Sequence, residues 1–140
     1  MLVTDLVVRE KNDDIKVDSP RDVIPLLYEF YKDKNDKEYT SIVCLNGSHK
    51  VISIELISIG TLNRAFVEPR DIFRKAILSN CLDFIFVHNH PSGSVAPTDD
   101  DVKTSKKLKD IGDIVGIQVL DSIIIGDYNY YSFKEENLFF

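Results

Sequence analysis

Apolar positions recur along this chain with two periods, and the switches between them outline its elements. Tyr39–Leu45 is a mostly apolar run between a charged break at 32–37 and Asn46-Gly47, a strong hairpin signal. Lys50–Ser58 returns as a second strand. Val51, Ser53, Glu55 and Ile57 fall on one face of it, and Ile52, Ile54 and Leu56 on the other. Leu82–His88 reads as a buried strand, and Ile117–Ile125 and Tyr128–Phe133 as a final strand pair around Gly126-Asp127. Leu2–Val8 is a candidate edge strand and Arg64–Val67 a candidate short one. Three segments switch to the helical period. Ser19-Pro20-Arg21-Asp22 carries the signature of a capping box and precedes a face of Val23, Leu26, Leu27, Phe30 and Tyr31, although Pro25 interrupts it. Glu68-Pro69-Arg70-Asp71 starts a second helix, with Phe73, Ala76 and Ile77 inward and Asn80 as its stop; Thr98 to about Gly112 forms the third. Lys11–Asp18 reads as a loop. Helices and strands alternate, but two of the connections are hairpins. The expected fold is therefore α/β (α+β): one domain over residues 1–140, a single mixed β-sheet flanked by about three helices.

Composition narrows the function classes. The 140 residues carry a net charge of -6, and 44% of them are hydrophobic, enough for a core without staples. No basic face is concentrated anywhere, so DNA is not favoured as a partner. No apolar run approaches the roughly 20 residues of a membrane helix, and the first ten residues do not read as a signal peptide. Cys44 and Cys81 lie in apolar segments with no metal-type spacing, and are expected as two reduced thiols of a cytoplasmic protein.

The chemistry gathers at the end of the Leu82–His88 strand, in His88-Asn-His-Pro-Ser-Gly followed by Thr98-Asp-Asp-Asp101. Residues two apart on a strand point the same way, so His88 and His90 can face one point just before Pro91 turns the chain. Two imidazoles and the Asp101 carboxylate suit a zinc ion and leave one coordination position open, as a catalytic site requires. Thr98 and Asp101 have an equally complete structural explanation, as N-cap and returning acid of a helix start. His49, beside the hairpin turn, reads as solvated.

These residues resemble the JAB/JAMM (MPN-plus) metallopeptidase signature, and most closely the RadC family. Seven residues separate His90 from Thr98, and two separate Thr98 from Asp101. Gly60-Thr-Leu-Asn63, Pro69-Arg70-Asp-Ile-Phe73, Leu120-Asp121-Ser-Ile-Ile-Ile-Gly126 and Tyr131-Ser-Phe133 look like RadC landmarks in RadC order, from about residue 19 to 138. The resemblance implies a JAB/JAMM, cytidine-deaminase-like architecture. It implies a zinc held by His88, His90 and Asp101, and a glutamate on an earlier strand that acts as general base on the metal's water. Glu38 aligns best with that glutamate. Glu55 is the rival, and reads as an exposed strand residue. Thr98 stands where the family usually has a serine whose hydroxyl supports the oxyanion, and Ser122 where a histidine is usual. The implied activity is hydrolysis of a peptide or isopeptide amide in a protein or peptide substrate. The alternatives are a non-catalytic protein-interaction module and a DNA-repair-associated protein. The latter is disfavoured by the charge and by the lack of room for the helix-hairpin-helix region that longer relatives carry. An HNH nuclease spreads its residues along a ββα unit, and a cupin would place a glutamate soon after His90. The substrate-binding residues and the oligomeric state are left open.

Overall fold

A computed structural model describes residues 15–60 and 67–140. The candidate strand at Leu2–Val8 and most of the one at Arg64–Val67 lie outside the described residues. A 3-10 turn at Pro20–Asp22 precedes helix α1 (Ile24–Tyr31); strands β1 (Tyr39–Leu45) and β2 (Val51–Ile59) follow. Then come α2 (Pro69–Leu78), β3 (Asp83–Asn89), α3 (Asp99–Val115), β4 (Gln118–Ile125) and β5 (Tyr130–Ser132). The five strands form one sheet in the order β2-β1-β3-β4-β5. The β3–β4 pairing is parallel and the others are antiparallel. This is the expected mixed sheet with both hairpins. No helix among the described residues is long and apolar enough to cross a membrane.

Strand alternation divides the core into two layers. Val43 and Leu45 of β1, Ile85 and Val87 of β3, and Ile123 and Ile125 of β4 pack with Val23, Leu27, Phe30 and Tyr31 around α1. Ile42, Cys44, Phe84, Phe86 and Val119 pack on the opposite face with Ile72, Phe73 and Ala76 of α2 and Leu108 of α3. Each fully buried side chain of this size contributes about 1.5–3 kcal/mol. With both faces of the sheet covered, its central strands are buried at nearly every position.

Several expectations are corrected. Pro25 does not interrupt α1. The Ser19 signature closes only the 3-10 turn, where Asp22 Oδ2 accepts the Ser19 N–H at 3.0 Å, and the α-helix begins at Ile24. Pro25 therefore sits in the first helical turn, where its missing N–H costs nothing. Ile77 does not face inward but is 58% exposed, because the buried stripe of α2 runs through Ile72, Phe73 and Ala76. Glu55 is not an exposed strand residue. It is 2% exposed, opposite Ile42 in the sheet, with Lys75 Nζ of α2 3.5 Å from its Oε1. The hairpin at Asn46-Gly47 forms, but the left-handed residue is His49 (φ 61). Asn46 Oδ1 holds the turn by accepting the Ser48 and Lys50 N–H groups. His49 is half-exposed and bonded to Asp83 at 3.0 Å. Cys44 and Cys81 are not separate thiols but a disulfide. Cys44 pairs with Phe84 in the sheet, so the chain entering β3 brings Cys81 beside it across a separation of 37 residues, which spacing along the sequence does not reveal.

The third helix continues past Gly112 to Val115 and ends at Gly116, which takes the left-handed cap conformation (φ 88). Gly112 is an interior glycine with a packing reason. A Cβ there would lie 2.6 Å from the Ile117 carbonyl oxygen and 3.0 Å from Val119 Cγ2. We expect Gly112→Ala to destabilise the domain by about 1–3 kcal/mol in urea unfolding, even though alanine favours a helix by about 1 kcal/mol. A gain in stability would show that α3 does not press on β4 at this point.

The chain's last turns are tied to β4 by a buried carboxylate. Asp121 accepts from Ser132 Oγ (2.6 Å), the Lys134 N–H (2.9 Å) and its neighbouring Ser122 N–H (2.7 Å). Burial outweighs these bonds and pushes the Asp121 carboxyl up to about 6. The folded state thus binds a proton more tightly than the unfolded chain, whose aspartate titrates near about 3.9. The stability contributed is present in full below that value and is lost as pH rises through about 6. Two pKa units correspond to roughly 3 kcal/mol. The stability difference between the wild type and Asp121→Asn, from urea unfolding at pH 4 and pH 7, should change by about this order, with the wild type relatively stronger in acid. A constant difference across this range would remove Asp121 as the cause.

Candidate metal centre

The parity that buries Phe84 and Phe86 against α2 and α3 carries His88 to the same face, at the strand's C-terminal end. His88 is 5% exposed, and its two ring nitrogens are buried without a hydrogen-bond partner among the described residues. His90 follows on the same side just past the strand. Its Nδ1 is 2.8 Å from the Ser94 carbonyl oxygen in the loop that follows, which fixes the ring and turns Nε2 inward. The two rings meet edge to face, with centroids 5.2 Å apart.

Asp101 closes the third side. The loop over residues 91–97 returns the chain at Thr98, the N-cap of α3. Thr98 Oγ1 accepts the Asp101 N–H at 3.1 Å, and Asp101 Oδ2 accepts the Thr98 N–H at 2.9 Å. The same carboxylate reaches both imidazoles. Oδ2 is 3.0 Å from His90 Nε2 and Oδ1 is 3.1 Å from His88 Nε2, the latter contact misaligned for a hydrogen bond. Cap and cluster are thus one structure. Burial opposes ionisation of Asp101, but its contacts with His88 and His90 prevail and hold its carboxyl well below the usual range. The hydrogen bond that His90 donates to the Asp101 carboxylate raises the imidazole in turn, against partial burial.

Glu38 forms the fourth side. It immediately precedes β1. Thr40 pairs with His88, so the antiparallel register sets Glu38 across from His90. Glu38, His88 and His90 each offer a ligand-type atom within 4.8 Å of the others. Glu55 is not in this group; it lies on β2 beside Lys75. The donor set fits a zinc ion. Ligands at about 2.0–2.1 Å from a tetrahedral centre stand roughly 3.3 Å apart, close to the 3.0 and 3.1 Å between Asp101 and the two imidazoles. A buried histidine without a hydrogen-bond partner is likewise what an absent ligand bond leaves behind.

A family model described as a RadC-like JAB domain matches residues 17–138. The chain belongs to the RadC-like JAB domain family. Its relatives include a UPF0758 protein of Alkaliphilus metalliredigens, 47% identical over 88% of this chain and 53% of that protein. Another UPF0758 protein, from Caldanaerobacter subterraneus subsp. tengcongensis, is 43% identical over 96% of this chain and 57% of its own length. One from the archaeon Methanosarcina barkeri is 37% identical over 86% and 52%. The chain therefore spans about half the length of the curated relatives it matches.

Two departures from the RadC pattern can be placed. Thr98 keeps a hydroxyl at the helix cap. Ser122, buried on β4, accepts a hydrogen bond from Ser105 Oγ of α3 at 2.7 Å. Sequence reasoning passed over Asn89, between the two histidines. Its side chain is buried and bonds the segment that carries Glu38. The signal was present: a polar residue at the opposite parity of a buried strand must find a partner. In metal-free protein, Asp101→Asn should lower the His90 pKa, since the Asp101 carboxylate is the main cause of its elevation. A proton NMR titration of the imidazole reads this, and an unmoved midpoint would exclude the pair as the cause.

Proposed function

We propose that this RadC-like JAB domain is a zinc-dependent hydrolase that cleaves a peptide or isopeptide amide in a protein or peptide substrate. The observation that carries this reading is the convergence of Glu38, His88 and His90, with the Asp101 carboxylate 3.0–3.1 Å from the same two imidazoles. His88, His90 and Asp101 would hold the metal. Bound zinc supplies a Lewis acid and lowers the pKa of water from 15.7 to about 7. Glu38, across from His90 and partly solvent-accessible, takes the proton of the attacking water and delivers it to the leaving amine. Water adds to the carbonyl carbon, the C–N bond breaks, and a carboxylic acid and an amine leave. Thr98 Oγ1 accepts the Asp101 N–H and keeps its own proton to donate to the developing oxyanion at the exposed rim.

Glu38→Gln should still load zinc while losing general-base catalysis, typically worth 10²–10⁴-fold. His88→Ala should fail to load it. Elemental analysis and turnover of ubiquitin-like or peptide amide substrates by the purified protein read both. Undiminished turnover by Glu38→Gln would sink the base assignment, and stoichiometric zinc in His88→Ala would remove that ligand. Zinc uptake without hydrolysis of any amide would favour a binding module.

A further inference from the structure

Glu38 lies outside β1, in a segment with no regular structure between α1 and the strand. A base must nonetheless be held to within a fraction of an ångström. Asn89 provides a fixed point. It is the last residue of β3 and is 6% exposed, and its parity is opposite to that of the histidines, towards the α1 layer. Its Oδ1 accepts the Tyr39 N–H at 2.7 Å, and its Nδ2 donates to the Lys34 carbonyl at 2.6 Å and the Lys37 carbonyl at 3.1 Å. These three bonds bracket Glu38 on both sides, at residues 37 and 39. They use one amide side chain to full two-donor capacity. The Glu38 carbonyl is held separately, by the Gly60 N–H at 2.8 Å.

We propose that Asn89 is a positioning residue. By clamping residues 34–39 to the end of the strand that carries His88 and His90, it fixes the Glu38 carboxylate over the histidine pair. Alternation makes this economical: one strand end sends two imidazoles to one face and the clamp for their partner to the other. The inference rests on the metal-centre reading for what Glu38 does, but the clamp itself is present without metal.

The test is a double-mutant cycle between Asn89→Ala and Glu38→Gln on the full chain, read as zinc affinity by competition with a chromophoric chelator. Ser132→Ala, two strands away on β5 and in contact with Asp121 rather than with the site residues, serves as the control for general destabilisation. Outer contacts of this kind are worth about 10–100-fold in metal affinity. Asn89→Ala should weaken zinc by about tenfold in the wild-type background and by less than about twofold in Glu38→Gln, because the cycle removes a shared interaction. Ser132→Ala should leave affinity unchanged. An equal loss in both backgrounds would overturn the proposal, since Asn89 would then act through the histidines; so would no loss in either. If the wild type takes up no zinc, the metal reading falls and the clamp is judged in metal-free protein. There, Asn89→Ala must speed exchange of the Tyr39 amide and shift the Glu38 side-chain carboxyl resonance, and unchanged signals would overturn it.

Discussion

The structure depends on the alternation of β3. This strand is bonded on both sides, antiparallel to β1 and parallel to β4, so its register is fixed twice. A slip by one residue would turn Phe84, Phe86 and His88 toward α1 and Ile85, Val87 and Asn89 toward α2 and α3, exchanging both layers of the core at once. The apolar packing that prevents the slip also orients the histidines. The last turn of chemistry is thus set by several buried side chains, each worth about 1.5–3 kcal/mol, none of which belongs to the site.

Asp101 converts that orientation into a cluster. A helix N-terminus favours a carboxylate in its first turn by about 0.3–1 kcal/mol, and the reciprocal bonds with Thr98 fix its rotamer. The histidines then meet a preset anion instead of recruiting a mobile one. The capping and ligand readings of Thr98 and Asp101 are compatible in the sequence, and in three dimensions the cap is the device that aims the carboxylate. Ser94 does the same for His90 from the loop side.

What was legible in the sequence follows from the range of each signal. Apolar runs bounded by turn signals, with period-two alternation in β2, defined β1 to the residue, and β2, β3 and β4 to within one residue. The His88-x-His90 pair and its return at Asp101 were legible because strand parity and a helix start are both local. The burial of Glu55 was not, since it depends on Lys75 arriving from a helix twenty residues later. The Cys44–Cys81 bond depends likewise on the pairing of β1 with β3. Gly112 misled for a different reason. A glycine ends a helix when it takes a left-handed cap and sits inside one when a backbone crosses close by, and only the position of Ile117 distinguishes the two.

Glu38 was placed by resemblance rather than by any local pattern, and the structure explains why. No helix period positions it; the Gly60 N–H holds its carbonyl, and an amide on the opposite face of a neighbouring strand holds the residues on either side. The C-terminal landmarks have the same character. Leu120-Asp121-Ser122 and Tyr131-Ser132-Phe133 are linked by the bond from Ser132 to the Asp121 carboxylate and by that from the Phe133 N–H to the Ser122 carbonyl. Those motifs therefore record one tertiary contact, which holds the edge of the sheet, rather than parts of the reaction centre. Motifs of equal specificity in a sequence can thus serve unequal ends. Here the division is physical: the residues gathered at the C-terminal end of β3 converge on one point, while the Asp121 group is satisfied within itself.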